Sequence, residues 1–570
     1  MPSSRGSGEV LVDRVMNEGE LDERHQSNIA TRRSVEVVVL AVVSIWAFFT
    51  NLTFSLLEGS EGLYAGIAGE MGRRQEFFDL TYQGIPYFNK PPFFFWLLNA
   101  STTLWGDHEL ALRLPGSIAA VGTIVLTYVL ASRLMSSTAA FWAALTVATS
   151  HVFLWYGRRV LFDSTLTFFI TLALFAWAYV QLLGRSSWWY LLSFLSMALG
   201  VMLKELHGFF LPMLVMVSYA VIQRDWRMFK DKVFWIGLSG ALVIMAAYAG
   251  MLGQGYQHHF HLGAAVKVIW NPTASGPPPE GHPFYWYLGM IWADFFPWSI
   301  LLPSTLLLFW ARRPFPNRSV EVLSLIWVFG LLIAFSLATM KREPYLMPMV
   351  PGFGLMVGYY YQHVLSLPER QTPMPIWLRL LLGILALLFA VGIVIGPLLL
   401  KKRWLVPPDF VPPLFIAVIA AMSGVLLYAA IRSRLHLAHY MVGGLAVGFM
   451  VTVVNIVFPA IDQAFSPRKI TEEIKLLARE GQPALFHYIP GWPKNEDAVY
   501  YLKRDNVVPE LPTPDAVAEA ARRHGTIRVV TEEQHAVTLE KRTDFATERI
   551  REFRQPSRKH LWLLSVRSGA

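Results

Sequence analysis

The chain has 570 residues, of which 54% are hydrophobic and only 16% are charged. A soluble protein of this length does not need so apolar a composition, so a polytopic membrane protein is predicted. The absence of cysteine excludes structural disulfides, thiolate zinc sites and a thiol nucleophile. The net charge of +9 suits contact with anionic membrane lipids. Nucleic acid is not an expected partner, because no soluble basic module precedes the tail.

Residues 1–33 are polar and rich in arginine, and they lack the apolar core and cleavage site of a secretory signal. We interpret them as a disordered cytoplasmic arm. Arg32 and Arg33 stand before the first apolar run, Val37 to Phe54, and they place the N-terminus inside by the positive-inside rule. The loop of residues 57–113 is therefore predicted to lie outside and to carry the active site.

Twelve further apolar runs predict thirteen spans in all, within a transmembrane region of residues 34–460. The runs lie near residues 114–130, 138–155, 164–183, 188–203, 206–222, 233–250, 284–310, 320–340, 344–365, 376–399, 411–430 and 437–457. An odd number of crossings predicts that the C-terminus lies outside. The predicted fold class is an α-helical polytopic membrane protein.

The tail, residues 461–570, alternates between helix and strand patterns and predicts a small soluble α/β domain outside the membrane. The predicted helices are residues 468–479, 496–504 and 515–523, and the predicted strands are residues 484–488, 527–531 and 561–566. The tail contains no phosphate-binding glycine loop and no nucleophile elbow. We therefore assign it no chemistry.

Basic residues also stand at the predicted outer ends of spans, against the positive-inside rule. They are Lys90, Arg113, Arg158, Arg159, Lys204, Lys341, Arg342 and the run Lys401, Lys402 and Arg403. A positive rim on the outer face indicates a site for phosphate-bearing lipids. The alternative is that these side chains only anchor span ends by snorkelling.

The same regions carry carboxylates beside these cations. The segment LLEGSEGLYAGIAGEM contains Glu58 and Glu61, and GIPYFNKPPFFFW places Lys90 before two prolines. RRVLFDSTLTFF carries Asp163 after its two arginines, and MKREPYLMPMVP adds Tyr345 to its basic pair. A transferase that releases a lipid phosphate needs carboxylates and cations together at the membrane surface.

These motifs resemble those of the integral-membrane glycosyltransferases that use polyprenyl-phosphate sugars. That superfamily holds the protein O-mannosyltransferases and the lipid A aminoarabinose transferases, in glycosyltransferase families 39 and 83. Its pattern is an acidic pair, a tyrosine three residues later and then Lys-Pro-Pro. The resemblance implies a GT-C-type fold and an inverting hexosyl or pentosyl transferase. It implies transfer from a polyprenyl-phosphate sugar donor to a lipid, glycan or protein acceptor at the outer face of the bacterial inner membrane.

The resemblance also implies which carboxylates are catalytic. Ser60 stands where the family usually has the first acid, which leaves Glu61 or Glu58 as the key acid. We favour Glu61, because it lies three residues before Tyr64 on the same helical face. Asp163 matches the family's second acid; the alternative is that it only caps the helix it precedes.

The residues implied to bind the donor phosphate are Lys90, Arg158, Arg159, Lys204, Lys341, Arg342 and Tyr345, and those implied to contact substrate are Tyr64 and Tyr87. Lys90 is the most specific match. Lys204 matches less well, because Glu205 follows it where glycine is usual. The arrangement requires no cofactor. A divalent metal has no support either, since Asn89 stands where the family often has Glu or His.

A lipid or glycan transporter is the alternative function, because many-span proteins with charged residues are often transporters. Against it, the charges cluster at one face and no inverted repeat is visible in the sequence. Consumption of a polyprenyl-phosphate sugar separates the two functions, since only a transferase breaks the donor down.

Overall fold

The structure of the protein is a computed structural model that describes most of the chain. It describes residues 31–55, 59–87, 89–255, 282–310, 318–338, 341–369, 373–404, 411–479, 484–489, 500–502, 508–554 and 560–568. The predicted cytoplasmic arm, except for its last three residues, and Glu58 lie outside the described residues. Residues 31–33 begin a helix and are not part of an irregular arm.

A bundle of helices makes up the chain as far as Phe465. The helices are α1 (31–49), α2 (Gly59–Arg74), α3 (Phe93–Trp105), α4 (Glu109–Leu134), α5 (Ser137–Thr149), α6 (His151–Tyr156), α7 (Phe162–Gln181), α8 (Trp189–Lys204), α9 (His207–Gln223), α10 (Arg227–Lys230), α11 (Lys232–Gly255), α12 (Trp286–Asp294), α13 (Trp298–Trp310), α14 (Arg318–Leu337), α15 (Val350–Ser366), α16 (Ile376–Trp404), α17 (Pro413–Ile431), α18 (Leu435–Thr452) and α19 (Phe458–Phe465). A two-stranded hairpin, β1 (Thr81–Tyr82) and β2 (Ile85–Pro86), lies between α2 and α3.

Long apolar helices confirm a multi-pass membrane protein. Within the described residues, seven helices are long and apolar enough to cross a membrane, or eight if one bent pair counts as a span. The apolar helices α5, α8 and α9 are shorter. The count of thirteen spans stays a prediction. The predicted span of residues 284–310 is two helices, α12 and α13, bent by 111°. Pro297, which has no amide hydrogen to donate, lies in the break.

Small residues allow the helices at the centre of the bundle to approach closely. A side chain added at Gly354 or Gly358 of α15 would collide with the main-chain carbonyl oxygens of Ala143 and Ala139 on α5. Such contacts are the usual means of helix association in an apolar bundle, because burying more apolar surface gains little when lipid is the solvent.

The links between helices converge at one end of the bundle, which we call the loop face. It contains residues 50–55 after α1, residues 157–161 before α7, the link between α8 and α9, and the 3₁₀ helix Glu343–Met349 before α15. The α8–α9 link is tight, because a Cβ at Gly208 would collide with the main chain of Gly200. This close approach sets the position of Lys204 at the end of α8.

The tail forms a four-stranded sheet with helices packed against it. Its elements are α20 (Pro467–Arg479), β3 (Ala484–Tyr488), α21 (Pro514–His524), β4 (Thr526–Glu532), α22 (Glu533–Glu540), β5 (Phe545–Arg554) and β6 (His560–Ser568). The strand order is β3-β4-β6-β5, with β3 parallel to β4 and the other neighbours antiparallel. The sequence analysis missed α22 and β5, and most of the predicted helix 496–504 lies outside the described residues.

The tail contacts the loop face. Glu109 at the start of α4 accepts hydrogen bonds from Arg468 at 3.2 Å and from the Tyr501 hydroxyl at 2.8 Å. The Tyr500 hydroxyl donates to Asp107 at 2.9 Å. The sheet and the loop of residues 57–113 therefore lie at the same end of the bundle.

We expect Gly208→Ala to lower the melting temperature of the detergent-purified protein. The added methyl group meets main chain that cannot rotate away, and overpacking typically costs about 1–3 kcal/mol. Gly240→Ala on α11 is the matched control, because nothing lies within 4 Å of a Cβ there. Thermal unfolding checks both variants, and equal melting temperatures would contradict the close approach of α8 and α9.

Candidate active site

A buried ion pair joins two of the predicted site residues. Asp163 lies in the first turn of α7 and Lys204 is the last residue of α8. The Lys204 Nζ lies 2.7 Å from Asp163 Oδ1, and about 5% of each side chain is exposed. The Asp163 carboxylate therefore pairs with a cation, and no side chain caps the start of α7 in this structure. Charges buried at such depth persist because they are paired.

Aromatic rings surround the Lys204 ammonium. It lies 4.0 Å from the ring centroid of Tyr345 and 4.8 Å from that of Phe162. A cation over an aromatic face is attracted to the ring quadrupole. The predicted residue Tyr345 thus contributes its ring to the site, beneath the lysine.

Lys90 lies in the loop between β2 and α3, outside the spanning helices. Its ammonium is 5.5 Å from the Phe162 centroid, so Lys90 and Lys204 share one ring. Burial lowers the pKa of Lys90 below its ordinary value, and the negative charge of Glu205 opposes this shift. Lys204, Asp163 and Arg342 also act on it electrostatically. The structure therefore brings together lysines that are more than a hundred residues apart in sequence.

Phe162 is a central residue that the sequence analysis missed. Besides the two ammonium groups, it packs against Tyr64 at 5.7 Å and Phe94 at 6.1 Å between centroids. Tyr64 and Tyr87, both predicted to contact substrate, are buried and each packs edge-on against Phe95. Together these rings form an aromatic wall beside the ion pair. The available signal was the position of Phe162 directly before Asp163.

Glu61 lies in a different environment from Asp163. Both Glu61 and Arg113 are fully buried, and the guanidinium Nη2 lies 3.2 Å from Glu61 Oε1. The Val160 amide also donates to that oxygen at 2.9 Å. Arg113 donates further to the main-chain carbonyls of Leu52 at 2.9 Å and Ser55 at 3.0 Å. We call these two side chains the Glu61–Arg113 clamp, because they tie α2, α4 and two links of the loop face together.

The complete burial of Glu61 in the clamp limits the roles that its carboxylate can have. A carboxylate with no exposed surface has no contact with a substrate in this conformation, so its geometry favours a positioning role. The catalytic role of Glu61 stays a prediction, as does that of Glu58, which lies outside the described residues. The sequence placed Arg113 in the positive rim but did not predict its pairing with Glu61, which is 52 residues away.

The two arginines after α6 are also buried. Arg158 donates to the carbonyl oxygens of Ala47, Thr50 and Asn51 at the end of α1. The guanidinium of Arg159 lies 4.5 Å from the Trp155 ring centroid. Arg158 thus closes the end of a helix, where free carbonyl oxygens favour a cation. Its predicted contact with the donor phosphate stays a prediction.

Lys341 and Arg342, the predicted site residues before α15, lie in different environments. The Lys341 ammonium donates to the Ala338 carbonyl oxygen at 2.6 Å. The Arg342 side chain is exposed, whereas its main-chain N–H and C=O both bond the Tyr287 hydroxyl at 2.9 Å. This double contact fixes the backbone of Arg342 and leaves its guanidinium at the surface of the site.

No group of three His, Cys, Asp or Glu side chains that could hold a metal occurs among the described residues. His258, His259 and His261 lie outside the described residues. Whether a metal or another cofactor is required therefore stays a prediction.

The chain is similar in sequence to proteins of known family. Residues 89–249 match the family model described as dolichyl-phosphate-mannose-protein mannosyltransferase. The chain is 27% identical over 407 residues to the undecaprenyl phosphate-alpha-4-amino-4-deoxy-L-arabinose arabinosyl transferase of Serratia proteamaculans, over 70% of this chain and 71% of that protein. It is 28% identical over 374 residues to an uncharacterised protein of Aquifex aeolicus, over 63% of this chain and 73% of that protein.

The fold has a solved relative as well. The crystal structure of ArnT from Cupriavidus metallidurans bound to undecaprenyl phosphate matches with a TM-score of 0.67 at 18% identity. The match covers 93% of this chain and 97% of that one. The chain therefore shares its fold with that membrane protein. In sequence the chain is similar to the protein mannosyltransferases and the aminoarabinose transferases, and in fold to ArnT, which confirms the resemblance seen in the sequence.

We expect Glu61→Ala to destabilise the protein strongly. Removing one partner leaves the Arg113 charge buried without its counter-ion, which typically costs about 3–5 kcal/mol. Glu61→Gln keeps an acceptor oxygen and should lose less stability. Thermal unfolding of both variants checks this. If Glu61→Gln unfolds at the wild-type temperature and yet abolishes turnover, a catalytic role for Glu61 replaces the positioning role.

Proposed function

We propose that the protein transfers a sugar from a polyprenyl-phosphate donor to a lipid, glycan or protein acceptor at the outer face of the bacterial inner membrane. The observation that carries this proposal is the group of charges formed by Lys90, Asp163 and Lys204 around Phe162 at the loop face. The relatives support the donor class, since ArnT from Cupriavidus metallidurans has been crystallised with undecaprenyl phosphate.

Lys90 is the best candidate for the donor phosphate. Lys204 is already paired with Asp163 at 2.7 Å, whereas Lys90 is half-buried at the surface of the same site. Its ammonium is partly desolvated, so a phosphate oxygen that binds it replaces little water. The exposed guanidinium of Arg342 supplies a planar fork on the same side, and such forks suit phosphate oxygens.

The Asp163–Lys204 pair orients the rest of the site. Asp163 holds the lysine over Phe162 and Tyr345, so the ammonium keeps one position while a donor binds or leaves. Electrostatic groups that are fixed in advance do not have to reorganise during the reaction. The aromatic wall beside the pair offers the apolar surface on which a sugar ring packs.

The chemistry is a single displacement with inversion. The acceptor oxygen forms a bond to the anomeric carbon, while the bond between that carbon and the phosphate oxygen breaks. A hydroxyl acceptor gives its proton to a carboxylate that acts as base, whereas an ionised phosphate acceptor has no proton to lose. The polyprenyl phosphate leaves with the electron pair and gains one negative charge. Lys90 and Arg342 stabilise this charge, and interactions that strengthen in the transition state raise the rate.

Donor consumption tests the proposal. Purified protein is incubated with undecaprenyl-phosphate mannose or undecaprenyl-phosphate 4-amino-4-deoxyarabinose and with cell envelope of the source organism as acceptor. Mass spectrometry should show loss of the glycosylated donor and release of undecaprenyl phosphate. Movement of an intact donor across a vesicle membrane, without consumption, would instead identify a transporter.

We expect Lys90→Ala to lower kcat/KM for the donor in this assay. A charge-assisted hydrogen bond is typically worth about 1.5–3 kcal/mol, which corresponds to a loss of about 10- to 150-fold. The melting temperature should change little, because the lysine lies in a loop. Unchanged turnover at subsaturating donor would remove Lys90 from the phosphate site.

The pH dependence of kcat/KM provides a second test of the role of Lys90. Burial lowers the pKa of Lys90, so the ammonium loses its proton at a lower pH than an ordinary lysine does. Since kcat/KM reports groups of the free enzyme, it should fall as the pH rises through this pKa. In Lys90→Arg the fall should move to higher pH, because a guanidinium stays protonated.

The location of the site is tested by topology. The tail contacts the loop face, so both lie on the same side of the membrane, and we expect that side to be outside. Alkaline phosphatase fused after Ala570 should be active, whereas green fluorescent protein fused there should not fluoresce after export. The opposite pattern would place the site in the cytoplasm.

A further inference from the structure

The hairpin of β1 and β2 is the part of the chain that leads to Lys90. Its strands are joined by a two-residue turn in which Gln83 has a φ of 56° and Gly84 a φ of 72°. Both residues lie in the left-handed region, which such a turn requires but which costs free energy for a residue with a side chain. A two-stranded hairpin is marginally stable on its own. Contacts from outside the hairpin must therefore stabilise this turn.

Glu70, near the end of α2, binds the turn through its carboxylate. Its Oε1 accepts a hydrogen bond from the Gln83 amide at 2.6 Å, and its Oε2 accepts one from the Gly84 amide at 3.3 Å. The Thr81 hydroxyl also donates to Oε2 at 2.8 Å, and Arg74 donates to that hydroxyl oxygen at 3.0 Å. Hydrogen bonds to an ionised carboxylate are stronger than those between neutral groups. A single side chain of α2 thus binds both residues of the turn and the start of β1.

A second contact packs the hairpin against α2 one helical turn earlier. A Cβ at Gly66 would lie 2.7 Å from the ring of Tyr82, so this buried ring packs directly against the helix. Gly66 and Glu70 are four residues apart and therefore lie on the same face of α2. We call these two residues the hairpin seat.

A short stretch of chain connects the hairpin to Lys90. The Tyr87 amide donates to the Leu80 carbonyl oxygen at 2.8 Å, which extends the pairing by one residue beyond β2. Lys90 follows three residues later, and two buried prolines lead from it into α3. The lysine is therefore fixed on one side by the hairpin and on the other by α3. A displacement of the hairpin moves its ammonium relative to Phe162, whose ring centroid is 5.5 Å away.

We propose that Glu70 is a positioning residue for Lys90 and, through Lys90, for the donor phosphate. The inference rests on the proposed function. Glu70 binds the hairpin, so it acts by fixing the backbone from which the lysine extends. The ammonium must come within hydrogen-bond distance of a phosphate oxygen. A shift of about 1 Å in this loop is therefore enough to weaken the contact.

The first test is the rate of donor consumption by the full-length protein. Glu70→Ala should lower kcat/KM for the donor about 10- to 100-fold, because a misplacement of about 1 Å typically has an effect of this size. Glu70→Gln keeps one acceptor oxygen for the turn and should lose less. Asp79→Asn is the matched control, since Asp79 is an exposed acid in the same link between α2 and β1. This variant should keep the wild-type kcat/KM.

A double-mutant cycle separates the positioning of Lys90 from a general loosening of the loop. If Glu70 acts through Lys90, Glu70→Ala should cost little further kcat/KM once Lys90→Ala is present, because the phosphate contact has already been lost. Independent effects would instead multiply. The ratio of the two fold losses therefore measures how much of the effect of Glu70 passes through the lysine.

The pH profile gives a readout that a purely structural role does not move. Burial lowers the pKa of Lys90 in the wild-type protein, and the charged groups that act on it all lie outside the hairpin: Glu205, Lys204, Asp163 and Arg342. Release of the hairpin exposes the ammonium to water, so its pKa rises toward the ordinary value of a lysine. The fall in kcat/KM at alkaline pH should therefore move to higher pH in Glu70→Ala and stay in place in Asp79→Asn.

Three outcomes overturn the inference. Wild-type kcat/KM in Glu70→Ala shows that Lys90 keeps its position without the carboxylate. Equal fold losses with and without Lys90, together with an alkaline limb that does not move, make Glu70 a residue that only stabilises the fold. Wild-type turnover in Lys90→Ala removes the contact that Glu70 is proposed to position.

None of these outcomes contradicts the proposed function, which fails only if the wild-type protein leaves every donor intact. If Glu70→Ala does not fold, the same cycle and the same pH profile are measured with Glu70→Gln. A smaller loss in that variant, which vanishes in the Lys90→Ala background, supports the inference. A loss that persists unchanged in that background overturns it.

Discussion

The loop face depends on the cost of burying charge. Glu61 and Arg113 have no exposed surface, and an unpaired charge at such depth costs several kcal/mol. Each charge is therefore stabilised by the other. Arg113 also donates to main-chain carbonyl oxygens of residues 52–55, and Glu61 accepts from the Val160 amide. Three parts of the chain, around residues 52–61, Arg113 and Val160, must come together before these contacts form. Glu61 lies near the start of the loop of residues 57–113 and Arg113 is its last residue, so the clamp joins the two ends of the loop that carries Lys90.

The second group of charges, around Phe162, differs from the clamp because its cations outnumber its carboxylates. Lys90, Lys204 and Arg342 stand against Asp163 and Glu205, which leaves one positive charge. A sugar attached through phosphate to a polyprenol is a phosphodiester with one negative charge. In the proposed reaction, the group would take up this donor with no net charge left in a region of low dielectric constant, where uncompensated charge costs free energy. In the proposed reaction, the departing phosphate carries a second negative charge, and cations that stabilise it more strongly than they stabilise the bound donor raise the rate.

The sequence predicted the elements better than the contacts. The apolar runs correspond to helices because continuous hydrophobicity is a local signal. Lys90, Asp163 and Lys204 were found through motifs, although the chain brings them together over more than a hundred residues. The clamp was missed because a pair such as Glu61 and Arg113 leaves no local pattern. Strand β5 was missed for a related reason: its sequence FATERIREFR is rich in charge, and pairing with β6 makes it a strand.

The contact between the tail and the bundle completes a buried polar site at the start of α4. Glu109 opens α4 and is buried, with about 4% of its surface exposed. Its partners Arg468 and Tyr501 both come from the tail, so the bundle alone does not supply them. Arg113 of the clamp lies one helical turn after Glu109 on the same face of α4. Contacts from the tail therefore fix the first turn of α4, the helix that carries Arg113. Because Arg113 pairs with Glu61, these contacts also help to position the loop that carries Lys90.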